Sequence, residues 1–141
     1  MVKPISPKEY EMLATFRYAL RQFLRFSETA ARQAGITPQQ HQTLLAIVGS
    51  PNQEPVTASK IAEHLQIRHH SAVGLIDRLV AQDLVAREPS QVDRREVYIS
   101  LTQQGHAILT QLSTAHREEL RRIGPQLHLI LEYLTAEDLL P

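Results

Sequence analysis

The 141-residue sequence contains no cysteine. That excludes a disulfide framework, a thiolate metal site and a thiol redox switch. No unbroken apolar run approaches the ~18 residues that a membrane span needs. The opening stretch, MVKPISPKEYEML, lacks the apolar core of a signal peptide. The expectation is therefore a cytoplasmic protein without a membrane partner. The chain also lacks net charge, with 15 basic residues against 15 acidic ones. A strongly basic balance, common among nucleic-acid binders, is absent, although phosphates respond to local patches and not to totals. There is no GxSxG, no P-loop and no GxGxxG with a suitable acidic residue behind it. Nothing in the sequence points to an enzyme or to a cofactor. The histidines His41, His64, His69, His70, His106, His116 and His128 have no recognised ligand spacing, so no metal site is expected.

What is present is a hydrophobic content of 43% in a chain long enough for one domain with a real core. Residues 8–33 carry Met12, Leu13, Phe16, Ala19, Leu20, Phe23, Leu24 and Ala30 at helical spacing. Gly35 stands where a C-terminal cap would. The apolar face of this helix is larger than one chain needs, and a second subunit is its natural cover. Thr37-Pro38-Gln39-Gln40 reads as a capping box opening a second helix, with Leu44, Leu45 and Val48 as its apolar side. Gly49-Ser50-Pro51-Asn52 ends it, and a polar loop runs to Pro55.

Thr57 caps a third helix with Ala58, Ile61, Ala62 and Leu65 on one face. Gln66 and Ile67 make a turn. A fourth helix spans about 69–82, with Ala72, Leu75, Ile76, Leu79 and Val80 inward. His70, Ser71, Gly74, Asp77 and Arg78 fall on the opposite arc. Residues 84–88 and 96–100 read as two strands, joined by a polar loop from Pro89 to Arg95. Thr102 caps a further helix with Ile108, Leu109, Leu112, Ala115 and Leu120 in its stripe. Gly124-Pro125 breaks or kinks it, and a last helix carries Leu127, Ile130, Leu131 and Leu134.

Two short helices followed by a hairpin form a helix-turn-helix with a wing. Such a unit places one helix in the major groove and carries a wing arginine to the minor groove, where a narrow groove deepens the negative potential. Arg94 or Arg95 suits that position because a guanidinium is always charged. Asp93 beside them has a structural use. It can pair with an arginine of the wing, or with Arg78 of the fourth helix, and so brace the loop. The plain alternative is an ordinary charged hairpin tip. On the fourth helix, Ser71 can donate to a phosphate or a base. His69 and His70 can do the same, and better when protonated. Gly74 permits close approach of backbone to DNA. Few basic residues line this helix, so short polar groups, bridging waters and DNA shape would carry much of the readout.

The series Ile36-Thr37-Pro38, Ala62-Glu63-His64-Leu65, Ser71-Ala72-Val73, Leu75-Ile76-Asp77-Arg78-Leu79, Leu84-Val85, Asp93-Arg94-Arg95 and Leu101-Thr102-Gln103-Gln104-Gly105 resembles the MarR family of bacterial winged-helix transcriptional regulators. The resemblance covers residues from about 8 to 134. It implies a mainly α (α+β) fold, a winged helix-turn-helix with flanking N- and C-terminal dimerisation helices. In that reading residues 1–141 are a single MarR-like domain, with dimerisation helices at 8–35 and 106–141 and the DNA-binding lobe at 37–105. It further implies a homodimer that binds double-stranded DNA at a pseudo-palindromic operator, usually as a repressor. A small aromatic or anionic effector would bind between the dimerisation region and the lobe.

Carried onto this sequence, the resemblance places His69, His70, Ser71, Gly74 and Arg78 at the DNA. Arg94 or Arg95 would enter the minor groove, with Asp93 bracing the wing. Candidate effector contacts are Arg17, Arg21 and His41. Two departures stand out. Gly74 occupies a position where many members carry a larger polar or basic residue, and the absence of cysteine excludes the family's thiol-oxidation branch. A reading of a different class is a winged-helix protein-interaction module without DNA binding, favoured by the zero net charge and the weakly basic fourth helix.

Overall fold

The computed structural model describes residues 2–136. The first helix, α1 (Pro7–Gln33), opens on a capping box in which the Ser6 hydroxyl accepts from the Glu9 N–H at 3.1 Å and the Glu9 carboxylate accepts from the Ser6 N–H at 3.1 Å. It closes where Gly35 turns left-handed, at φ +87°, which lets the Ile36 N–H reach the Ala31 carbonyl at 3.1 Å. A side chain at Gly35 would be strained by that backbone alone.

Helix α2 (Pro38–Val48) has the expected capping box, with Thr37 and Gln40 each satisfying the other's backbone N–H. Its inward face differs from the expected one. Leu44 is buried, but Leu45 and Val48 are exposed, and the buried side is Gln40, His41, Thr43, Leu44 and Ile47. Gln40 and Thr43 can occupy that side because their polar atoms find partners. Gln40 donates to Gln82 at 3.1 Å and the Thr43 hydroxyl donates to the Gln39 carbonyl at 2.8 Å. A short 3₁₀ turn, Pro51–Gln53, interrupts the loop that follows.

Helix α3 (Ala58–Leu65) is capped by Thr57 and ends with Gln66 in the left-handed region. Helix α4 (His69–Ala81) begins shortly after that turn. It ends in the same manner, with Asp83 at φ +58° and the Leu84 N–H on the Leu79 carbonyl at 2.9 Å.

The strands β1 (Val85–Pro89) and β2 (Val97–Leu101) pair antiparallel, Val85 opposite Leu101 and Pro89 opposite Val97. Both lie one residue later than the pattern predicts. Leu84 is taken by the turn that closes α4, and the Glu96 N–H is taken by the Asp93 carbonyl at 3.0 Å in the loop. A third segment joins them unannounced by the sequence: Val56 bridges to Ile99, whose N–H meets the Val56 carbonyl at 2.8 Å.

The last helix corrects a second expectation. Gly124-Pro125 does not divide it, and α5 (Gln103–Thr135) runs through as one helix of 33 residues. Proline removes one N–H donor and crowds the carbonyl four residues back, but the flanking Leu, Arg and Gln residues favour helix. Of the helix expected over 106–141, the last residues, 137–141, lie outside the described part.

The described residues fall into two compact units. One draws on Met1–Thr29 and Thr114–Pro141, the other is Ala30–Ser113. In the second unit Leu44, Ile61, Ile76, Leu79, Val85 and Ile99 are the centre of one continuous apolar core. In the first, Ala19 and Ile130 are buried, and the Ser27 hydroxyl lies 2.8 Å from Nε2 of His116. The rings of Phe23 and Phe26 meet that imidazole edge-on, at 5.8 and 5.3 Å. Leu13, Leu20, Leu24, Leu120, Leu129 and Leu131 of the same unit are exposed. Among the described residues no helix is long and apolar enough to cross a membrane.

Candidate nucleic-acid interface

Helix α4 buries Ala72, Leu75, Ile76 and Leu79, so its opposite arc is turned outward by the 3.6-residue period. His70, Asp77 and Arg78 are exposed on that arc, Ser71 and Gly74 are half-buried, and His69 is exposed at the start of the helix. Gly74 leaves real space. A methyl group added there would meet only the Arg78 guanidinium, at 3.9 Å. His69, at the start of α4, has its Nδ1 3.4 Å from the Ser59 hydroxyl of α3, so the first turns of the two helices adjoin. Arg68, at the cap position of α4, is exposed there as well. Sequence reasoning does not single it out.

The hairpin stands against this face. Arg87 of β1 forms an ion pair with Asp77 on the outward arc of α4. Asp77 is therefore a brace between helix and wing. Strand alternation places Arg87 opposite Ile99, but no local pattern in the sequence ties it to a carboxylate ten residues earlier.

At the tip, Ser90 is the organising residue, and sequence reasoning misses it. It is buried, and its hydroxyl oxygen accepts from the backbone N–H groups of Val92 at 3.2 Å and Asp93 at 3.1 Å. Its own hydroxyl hydrogen is directed at the Tyr98 oxygen, 3.4 Å away. Serine accepting from the second and third residues after it is a known local turn, so the Ser90–Asp93 spacing is a signal that could have found it.

Asp93 settles on the wing's own arginine. Its carboxylate accepts from the Arg95 backbone N–H at 3.0 Å and from the Arg95 side chain at 3.3 and 3.5 Å. Of the two partners open to Asp93, Arg95 is the one it meets and Arg78 is not. The Arg95 backbone N–H, then its guanidinium, hold the Asp93 carboxyl below its ordinary range. The Arg95 side chain is 92% exposed, so its remaining N–H groups face outward from a fixed base. Arg94 is also exposed, pairs with none of the described residues, and has a 97%-exposed Val92 as its neighbour at the tip.

The candidate effector contacts lie in different units. Arg17 and Arg21 are exposed on α1 in the first, and His41 is buried in α2 of the second. Among the described residues no three histidines or carboxylates come together as a metal-ion set.

Comparison with known proteins bears on the same elements. Residues 34–96, from the end of α1 to the wing tip, match the family model described as the MarR family. Over 64 residues the chain is 36% identical to the HTH-type transcriptional regulator MgrA of Staphylococcus aureus, a match that covers 45% of this chain and 44% of that protein. Over 106 residues it is 26% identical to the HTH-type transcriptional repressor MdtR of Bacillus subtilis, covering 75% and 62%. Both matches span less than two thirds of the relative's length. The structure of a mutant of S. aureus MepR bound to an oligodeoxyribonucleotide has a similar fold, with a TM-score of 0.68 at 24% identity over 81% of this chain and 82% of that one. The order α2–α3–α4–β1–β2, the family-model match and these relatives agree: residues 34–96 are similar to the MarR family, and the chain has the winged helix-turn-helix fold.

Proposed function

We propose that this protein is a DNA-binding transcription regulator that acts as a homodimer on a pseudo-palindromic operator, as a repressor. One observation carries the reading: the ion pair between Arg87 and Asp77 sets the wing beside the outward arc of α4. One surface thereby offers His69, His70, Ser71, Gly74 and Arg78 to a major groove and Arg94 and Arg95 to the adjacent minor groove. Asp93 fixes the base of Arg95 and leaves its outer N–H groups for the groove. DNA binding is supported by the match of residues 34–96 to the MarR family model, and the repressor role by the name of the relative MdtR. The homodimer is supported by the leucines left exposed on α1 and α5. A small aromatic or anionic effector would release the DNA, with Arg17, Arg21 and His41 as its candidate contacts.

The test is selection of duplexes from a random pool, followed by affinity measurement with the unsubstituted chain and with Arg94→Ala/Arg95→Ala. The expected loss is about 1–3 kcal/mol of binding without loss of fold. Equal affinity for both chains would defeat the wing assignment. Light scattering should give a dimer at micromolar concentration, because two half-sites are read by two lobes held apart.

A second reading, a protein-interaction module, has an observation of its own. Residues 69–101 hold four arginines (Arg78, Arg87, Arg94, Arg95) against five carboxylates (Asp77, Asp83, Glu88, Asp93, Glu96). Two of those arginines are already paired with carboxylates of the same surface. A duplex affinity that does not weaken as salt rises would favour this reading, since phosphate contacts release counterions.

A further inference from the structure

The root of the wing is closed by residues outside it. Thr102 lies between the end of β2 and the start of α5, where its carbonyl accepts from the His106 N–H at 2.9 Å and its N–H and hydroxyl make three further hydrogen bonds. Its N–H donates to the Leu84 carbonyl at 3.0 Å, its hydroxyl donates to the Asp83 carbonyl at 2.6 Å, and its hydroxyl oxygen accepts from the Gly105 N–H at 3.1 Å. Asp83 and Leu84 are the left-handed turn that closes α4, and Val85, the next residue, begins β1 opposite Leu101. The hydroxyl thus ties the exit of the groove-facing helix to the first turn of α5, across the base of the hairpin.

Gly105 completes the arrangement. A Cβ at that position would lie 2.1 Å from the Leu84 carbonyl oxygen and 3.1 Å from its carbonyl carbon. The clash is with backbone, so no rotamer relieves it, and only glycine lets α5 approach the wing root this closely. Thr102 and Gly105 are two of the residues on which the family resemblance rests, and DNA contact explains neither.

We infer that Thr102 and Gly105 form a clamp that sets the position of the wing against α4, with Thr102 as a positioning residue that reaches DNA only through Arg94 and Arg95. This rests on the DNA-binding reading. The isosteric change Thr102→Val removes both side-chain hydrogen bonds and leaves the Asp83 carbonyl and Gly105 N–H unmet. The change Thr102→Ser keeps them.

The experiment is a double-mutant cycle on a duplex enriched by the unsubstituted chain from a random pool. Thr102→Val should lower affinity roughly tenfold and Thr102→Ser less than about twofold. In the Arg94→Ala/Arg95→Ala background the Thr102→Val loss should shrink to less than about twofold, because the contact it positions is gone. An equal loss in both backgrounds, or no loss in either, overturns the inference. So does an unfolded Thr102→Val beside a native Thr102→Ser, which would make the hydroxyl a determinant of folding and not of wing placement. If the unsubstituted chain enriches no duplex, the DNA-binding reading itself has failed, and amide exchange decides the clamp. Faster exchange in β1 and β2 of Thr102→Val, with α3 unchanged, supports it, and unchanged exchange overturns it.

Discussion

The two units solve the problem of apolar surface in opposite ways. The second, Ala30–Ser113, is built from short elements whose ends are nearly all tied off. Thr37 and Thr57 cap helices, Gly35, Gln66 and Asp83 turn chains out of them, and the core residues Leu44, Ile61, Ile76 and Leu79 are fully enclosed. The first, from α1 and the second half of α5, is built from long helices that leave leucines in solvent, Leu24 at 51% and Leu129 at 65% exposure. A polar feature enclosed there is the Ser27–His116 pair between two phenylalanine edges. One unit encloses its apolar side chains within a single copy. The other leaves leucines of both its helices exposed.

That contrast makes the same kind of substitution do different things in the two places. The largest effect is expected in the enclosed core. Leu44→Ala should cost about 2–5 kcal/mol of stability, read by denaturant unfolding, since it empties a site with no route to water. Next, Leu24→Glu with Leu129→Glu should cost little folding stability but about 2 kcal/mol or more of association, the usual scale for a residue central to an interface. If the proposed dimer is right, sedimentation should show a dimer for the unsubstituted chain and monomers for the double variant. An unfolded double variant would mean that these leucines serve the fold of the single chain, and the contrast would collapse.

Smaller effects sharpen the side of the enclosed unit formed by α4 and the wing. Gly74→Ala meets no atom closer than 3.9 Å, so it should raise stability by up to about 1 kcal/mol through helix propensity. If α4 lies against DNA at that point, the same methyl should weaken duplex binding while the melting temperature rises. A variant that is both more stable and unimpaired in binding would move Gly74 off the interface. The smallest effect concerns Asp93. Its carboxyl is lowered from 3.8 by the Arg95 backbone N–H and then by the Arg95 side chain. A lowered folded value means that the brace is present above pH 3.8 and is lost only as pH falls through that folded value. An NMR titration of Asp93 should therefore find it below 3.8 in the native chain and closer to 3.8 in Arg95→Ala, where the side-chain contact is gone.

How much of this is legible in advance divides by range. The capping box at Thr37, the cap at Thr57, the turn at Gln66, the bounds of α4 and the position of the wing all follow from neighbours within a few residues, and the sequence displays them. The inward side of α2 is not legible because Gln40 looks like a surface residue until Gln82, 42 positions away, supplies a partner. The strands begin one residue late because Leu84 answers first to Leu79, and Val56 joins the sheet through Ile99. Pro125 has less power to end a helix than its position beside Gly124 suggests, since it removes a single donor. At the candidate site the charged residues are legible and the residues that aim them are not. Arg94, Arg95 and Asp93 stand out in any reading, and Ser90 betrays itself only by its spacing to Asp93, whereas Arg87 and Thr102 acquire a role at the wing only once the chain has folded back on itself.

The central claim is that α4 and the wing together read duplex DNA, with the wing arginines supplying much of the phosphate-directed charge. The most direct measurement is the dependence of duplex affinity on salt, for the unsubstituted chain and for Arg94→Ala/Arg95→Ala. Affinity should fall steeply as salt rises, and the slope of log K against log salt should be shallower by about two in the double variant, close to one for each lost cation. A duplex affinity that is indifferent to salt, or a slope unchanged by loss of both arginines, would contradict the account.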